Sequence, residues 1–222
     1  MDKKYYLVII ILLTILISSC EKNIISNDCV KGSKKIIYDY RKLPSYNSID
    51  FDGAGNIFIA HGQSDTIIIE TDDNIAPLVK TDVINSILYI KPIESICPNS
   101  LQFLVTMEDF RFLDFSGSGS IITTDSLNLD DIDINIEGSG KVRLFGKAGN
   151  ITAGLDGSGN LELIDMPADS AYVVINGSGN IYVYSTKYLK AIINGSGNIY
   201  YKGNPEIKET QINGSGNIIN IP

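Results

Sequence analysis

The chain has 222 residues, with 18 Lys+Arg against 26 Asp+Glu for a formal charge of −8, one His, three Cys, 20 Gly and no Trp. Forty-four per cent of it is apolar, enough for the core of one domain or two small ones, which argues against a disordered chain and against a membrane bundle. The acidic balance excludes a nucleic-acid partner of the sequence-independent kind, which needs a basic face for phosphates, and His61 alone makes His-rich metal sites and Ser–His–Asp hydrolysis hard to build.

In chain order, Lys3 and Lys4 open a short polar start, and residues 5–17 form an apolar run of 13. That falls short of the roughly 17–25 residues of a spanning helix but suits the core of an export signal. The run ends in Ile17-Ser18-Ser19-Cys20, which resembles a bacterial lipobox. The resemblance implies cleavage after Ser19, lipidation of Cys20 and a membrane partner held through that anchor. An uncleaved anchor, or an ordinary signal with a chance Cys, is the alternative. Residues 1–19 are thus expected to be a lipoprotein signal peptide, and residues 20–37 the lipidated Cys and a flexible tether. The expected address is the bacterial envelope, at the outer membrane, facing the periplasm or the surface.

In that oxidising compartment Cys29 and Cys97 could pair, or stay as two free thiols. Two Cys and one distant His have none of the usual zinc spacings, so no metal site is expected, nor any cofactor. Between residues 38 and 115, segments 56–60, 66–70, 87–91 and 101–107 read as strands and 73–80 as a helical turn. They suggest N-terminal coils and a cap over a sheet edge.

From there the glycines organise the chain. One motif occurs seven times: Gly53-Ala54-Gly55, then Gly117-Ser118-Gly119, Gly138-Ser139-Gly140, Gly157-Ser158-Gly159, Gly177-Ser178-Gly179, Gly195-Ser196-Gly197 and Gly214-Ser215-Gly216. From Gly117 onward the first glycines are 21, 19, 20, 18 and 19 residues apart, whereas Gly53 and Gly117 are 64 apart, about three periods. Two positions before each motif stand Phe51, Phe115, Ile136, Leu155, Ile175, Ile193 and Ile212; just after it come Ile57, Ile121, Val142, Leu161, Ile181, Ile199 and Ile218. Alternation with apolar residues on one face is a strand signal. Each repeat therefore reads as strand, Gly-x-Gly corner, strand and variable corner, with Gly supplying positive φ and close backbone approach. A repeat that cannot bury its apolar face alone must stack. The expected fold is all-β, a right-handed parallel β-helix or solenoid of about 19-residue coils, with the repeats over residues 116–222.

At this point residues 38–222 resemble the putative auto-transporter adhesin, head GIN domain family. The residues that carry the resemblance are the entry segment from Tyr40-Arg41-Lys42-Leu43-Pro44 to Phe51, Ile57-Phe58-Ile59-Ala60-His61-Gly62-Gln63, Asp73-Asn74-Ile75-Ala76-Pro77-Leu78-Val79, Leu88-Tyr89-Ile90, and the Gly-Ser-Gly-Asn-Ile repeats. The resemblance implies an exported, often lipid-anchored β-helix-like domain with no established catalytic residues.

Candidate sites are few. Tyr182 and Tyr200 should face outward and could stack on sugar rings or form an interface, beside ordinary cross-strand packing. Glu162, Asp165 and Arg143 could serve a polysaccharide lyase or hydrolase, or form surface ion pairs. Asp72-Asp73 and Asp130-Asp131-Asp133 could attract calcium, or be solvated acidic loops. Asn160, Asn180, Asn198 and Asn217 should stack as an amide ladder. The expected function is non-enzymatic: an envelope lipoprotein whose solenoid surface meets a glycan or envelope protein. A carbohydrate-active enzyme, or a structural component that self-associates through its last coil, is the alternative.

Overall fold

The computed structural model describes residues 29–63 and 65–222; the expected signal peptide, the lipobox-like segment and Cys20 lie outside them. The fold begins with β1 (Val30–Lys31) and β2 (Ile36–Lys42), followed by β3 (Ser48–Gly53) and β4 (Asn56–His61) on either side of the first Gly-x-Gly corner. Next come β5 (Thr66–Asp72), a 3-10 turn at Ala76–Leu78, β6 (Val79–Ile84), β7 (Ile87–Pro92), β8 (Ile96–Cys97) and β9 (Leu101–Met107). The repeats supply β10 (Phe112–Gly117), β11 (Ser120–Thr123), β12 (Leu127–Gly138), β13 (Lys141–Arg143) and β14 (Gly146–Gly157). They continue through β15 (Asn160–Ile175), β16 (Asn180–Ile193), β17 (Asn198–Lys202), β18 (Ile207–Ile212) and β19 (Ile218–Asn220).

Every coil-to-coil pairing is parallel and in phase with the motif: Gly117 lies opposite Gly138, Glu137 opposite Asp156, and Asn180 opposite Asn198. Strands that enter the Gly-x-Gly corner build one sheet, and strands that leave it build a second. The two face each other across the core, and β12, β14 and β15 add a short third side at Leu127–Leu129, 146–148 and 166–168. The inward ladders follow the expected alternation. Phe51, Phe115, Ile136, Leu155, Ile175 and Ile193 are buried on one wall; Ile57, Ile121, Val142, Leu161, Ile181 and Ile199 are buried on the other. Each such side chain contributes about 1.5–3 kcal/mol by leaving water. The solenoid is the all-β architecture that the repeat predicts. In the last coil the ladder opens: Ile212 stands in register with buried Ile193 yet is 46% exposed.

The 64-residue spacing differs from the expectation of three successive periods. Gly53 pairs directly with Gly117, so the first and second motifs belong to adjacent coils. The chain between them goes back to the other side of the first coil, where β7 pairs parallel to β3 and β9 pairs parallel to β4. Beyond that layer the direction reverses: β6 runs antiparallel to β7, β5 to β9, and β2 to β5. This antiparallel layer covers the end of the stack, which parallel coils would leave as an open edge.

The tether boundary also differs. Residues 29–37, expected as part of a flexible linker, are part of the cap. Cys29 is bonded to Cys97 with a Cα–Cα distance of 5.5 Å, and β1 pairs with β8. Behind them the buried Asp72 carboxylate accepts from the backbone N–H of Lys34 at 2.7 Å and from the backbone and side-chain amides of Asn99 at 2.7 and 2.8 Å. Burial alone would raise the Asp72 carboxyl, but these donors together hold it below the usual carboxylate range. Among the described residues no helix is long and apolar enough to cross a membrane.

Candidate interaction surface

The second sheet presents one unbroken outward column, because parallel strands in register repeat the same side-chain position about every 4.8 Å. In the repeats the column runs Ile122, Arg143, Glu162, Tyr182, Tyr200 and Ile219. Toward the cap it continues through Phe58, Leu104, Ile68 and Tyr40. Two aromatic or apolar regions thus flank a charged middle.

The Tyr182 and Tyr200 rings stack on each other, with centroids 4.7 Å apart and planes 9° from parallel. Stacking occupies one face of each ring. A sugar approaching the sheet therefore meets ring edges and hydroxyls, while the remaining faces point along the column. Their neighbours carry cations: Lys202 lies 5.7 Å from the Tyr184 ring centre, and Lys190 lies 5.5 Å from that of Tyr172 on the other sheet.

The charged middle is made of ion pairs. Arg143 donates to Asp165 at 3.0 Å, and Lys141 meets Glu162 at 2.7 Å. The three residues weighed for polysaccharide chemistry are thus held in pairs on an exposed sheet face.

The acidic candidates are likewise engaged. Asp72 caps backbone amides, as above, and Asp73 accepts from Ser33 Oγ at 2.6 Å and meets Lys35 at 3.1 Å. Asp130, Asp131 and Asp133 line a depression of about 280 Å³ with Asp109 and Arg111. There the Arg111 guanidinium already supplies the positive charge: its bond to Asp109, with the nearby Asp130 and Asp131, raises its pKa further. On the first sheet Asp50 and Asp114 are direct neighbours in register. Desolvation, then the carboxylates beside them, raises both above the usual range.

The Asn160, Asn180, Asn198 and Asn217 side chains form the expected ladder, each amide donating to the carbonyl of the coil before at 3.2, 3.2 and 3.3 Å. A second ladder, Asn176, Asn194 and Asn213, flanks the corner at 2.8 and 2.7 Å. Sequence reasoning missed it, although those three residues occupy the same position of successive motifs.

Sequence reasoning also missed the cap end of the column. Tyr38 and Tyr40 are 61% and 69% exposed, and beside them lie Ile68, Leu104 and Phe58 over a shallow depression of about 440 Å³. The signal was present in Ile36-Ile37-Tyr38-Asp39-Tyr40-Arg41-Lys42, whose alternation places both tyrosines on one face. A second cavity, of about 380 Å³, opens at the first corner, with Phe51, Val79, Ile90, Ile96, Leu101 and Phe103 among its walls.

A family model described as putative auto-transporter adhesin, head GIN domain, matches residues 45–205. Among solved structures, a putative adhesin from Bacteroides fragilis is 26% identical with a TM-score of 0.72, over 86% of this chain and 100% of that one. A putative lipid binding protein from Parabacteroides distasonis is 25% identical with a TM-score of 0.62, over 88% and 100%. A putative adhesin from Parabacteroides merdae, at 19% identity and a TM-score of 0.54 over 88% and 100%, shares the fold. No curated protein matches the chain.

Proposed function

Because the chain belongs to the putative auto-transporter adhesin, head GIN domain family, we propose that it is an envelope lipoprotein, anchored through Cys20, that presents its solenoid surface to a glycan or envelope protein without catalysis. The observation that carries this reading is the stacked Tyr182–Tyr200 pair on the outward side of a sheet. Tyrosine supplies a large, stiff contact area with a polar tip, which suits a binding face. The carboxylates nearest to it are engaged in ion pairs rather than converging on a cleft.

A glycan and envelope-component array probed with the mature domain, beginning after Cys20, tests the assignment. Replacing Tyr182 and Tyr200 by Ala is expected to weaken a hit at least about tenfold, or about 1.4 kcal/mol. Unchanged binding removes the function from this face.

A second reading is favoured by the cavity at the first corner. Its apolar walls and volume of about 380 Å³ suit a hydrocarbon chain, and one relative is described as a putative lipid binding protein. Retention of a fatty acid by the delipidated domain, lost on Leu101→Asp, would support it.

A further inference from the structure

We propose that the cap-end part of the second sheet, where β2, β5, β9 and β4 lie side by side, is a binding subsite for a neutral oligosaccharide. The inference rests on the glycan reading of this surface given above and assigns it a second place. Seven strand spacings, or about 34 Å, separate Tyr40 from Tyr182 along the sheet.

Register sets two outward rows across the four strands. One row is apolar: Tyr40 lies opposite Ile68, Ile68 opposite Leu104, and Leu104 opposite Phe58. The other, displaced by two residues on each strand, is polar: Tyr38 lies opposite Glu70, Glu70 opposite Gln102, and Gln102 opposite Asn56. Two residues along a strand is about 6.8 Å, and three strand spacings are about 14 Å. A sugar ring has the matching division, with C–H groups on its faces and hydroxyls around its edge. A short oligosaccharide laid across the strands therefore puts ring faces on the apolar row and hydroxyls beside the polar one.

The side chains suit such a ligand. Tyr38 and Tyr40 are 61% and 69% exposed, whereas Tyr182 and Tyr200 each cover one ring face of the other. The cap-end rings are thus the more open platform for C–H groups. With Phe58, Ile68 and Leu104 they line a depression of about 440 Å³, a volume within the range of small-ligand sites. Glu70, Gln102 and Thr124 complete its lining. Glu70 Oε1 accepts from Ser100 Oγ at 2.9 Å and from Gln102 Nε2 at 3.3 Å. These bonds hold both side chains in place, with the Gln102 carbonyl available in kind to accept from a sugar hydroxyl. The Glu70 charge, and a hydrogen bond to it, raise the Tyr38 hydroxyl above its ordinary pKa, which ties that tyrosine to the polar row.

Polarity and charge select the class. A purely apolar partner would strip water from Glu70 and Gln102 and return no hydrogen bond, a costly exchange; sugar hydroxyls replace that water. Glu70 is the one charged residue that lines the depression, so an anionic glycan is repelled and a neutral one is not.

The chain from residue 21 onward retains every described strand and the Cys29–Cys97 bond. Its tyrosines, replaced biosynthetically by 3-fluorotyrosine, give fluorine signals assigned through single Tyr→Phe variants. Titration with cellobiose, maltose and N,N′-diacetylchitobiose is expected to move the Tyr38 and Tyr40 signals saturably with at least one of the three. Tyr40→Ala, read at Tyr38, is expected to weaken that sugar about fivefold or more, the scale of one lost ring contact. Tyr40→Phe should stay within about twofold, since the ring is kept. The uronic-acid form of the same sugar is expected to bind at least about threefold more weakly, a gap that Glu70→Gln narrows. No saturable movement at Tyr38 or Tyr40 with any of the three overturns the subsite. Movement confined to Tyr182 and Tyr200 also overturns it and leaves the reading above standing. Movement at Tyr38 that is indifferent to Tyr40→Ala places the contact off this platform and overturns it as well. Saturation at Tyr38 and Tyr40, with an array hit indifferent to Tyr182→Ala and Tyr200→Ala, would sustain the subsite and remove only the earlier face.

Discussion

At each Gly-x-Gly corner the carbonyl of the first glycine points along the stack and accepts the Ser N–H of the next coil, as in Ser158 N to Gly138 O at 2.8 Å and Ser178 N to Gly157 O at 2.8 Å. A β-carbon on Gly157 would overlap the Gly138 carbonyl, and the residue also has φ +131°. Close approach recurs at every later repeat, whereas positive φ is confined to Gly117, Gly138 and Gly157 among the motif glycines. Crowding by the adjacent coil is therefore the more general reason for glycine here. Gly157→Ala is expected to cost about 2 kcal/mol or more in denaturant unfolding. Gly62→Ala, whose β-carbon would meet Thr106 at an ordinary 3.5 Å, should stay within about 0.5 kcal/mol.

Charge at the residue scale gives a pH test. The Asp114 carboxyl is raised by desolvation and then by Asp50 and Glu137. A carboxyl raised in the folded state holds its proton longer than in the unfolded chain, so its contribution to stability falls as pH rises through that interval. Asp114→Asn is accordingly expected to raise the unfolding midpoint at pH 7. The gain should fade as pH drops below the ordinary carboxylate range, where both states are protonated. A gain that persists unchanged in acid would contradict the electrostatic cause.

Among the elements, the repeating strands were legible because each inward position recurs at a fixed phase. Phe51, Phe115, Ile136, Leu155, Ile175 and Ile193 mark one wall by spacing alone, and the same phase located the Asn160–Asn217 ladder. The strands between the first two motifs were also legible, as at β4, β5, β7 and β9. Their partners were not, since alternation records which side is buried but carries no information on strand direction. Hence the antiparallel layer, and the direct stacking of Gly53 on Gly117, required the structure. The same ambiguity hid the outward tyrosines of β2: Tyr38 and Tyr40 gain a surrounding apolar face only once Ile68, Leu104 and Phe58 are known to lie beside them.

The cap is also fastened covalently. The Cys29–Cys97 bond spans 68 residues, a loop whose closure is worth about 2–4 kcal/mol on chain-entropy grounds. Cys97→Ser should therefore lower thermal stability and loosen β1 and the Asp72 clasp first. Hydrogen exchange in residues 29–42 should rise ahead of that in the repeats. Uniform loosening of the whole stack would show that the bond supports the solenoid rather than the arm.

For the molecule as a whole, the acidic balance resolves into a small basic arm and a large acidic body, and the glycines into a stack that repeats one outward column over its length. A periodic surface of this kind suits recognition of an extended or repetitive partner. The central claim is binding without turnover. Its most direct test is equilibrium binding of the mature domain to its best array ligand, followed by product analysis of that ligand after prolonged incubation. The account predicts saturable binding, weakened at least about tenfold by Tyr182→Ala with Tyr200→Ala, and a ligand recovered intact. A ligand recovered shortened or eliminated would contradict it and place a glycan-cleaving activity on this scaffold.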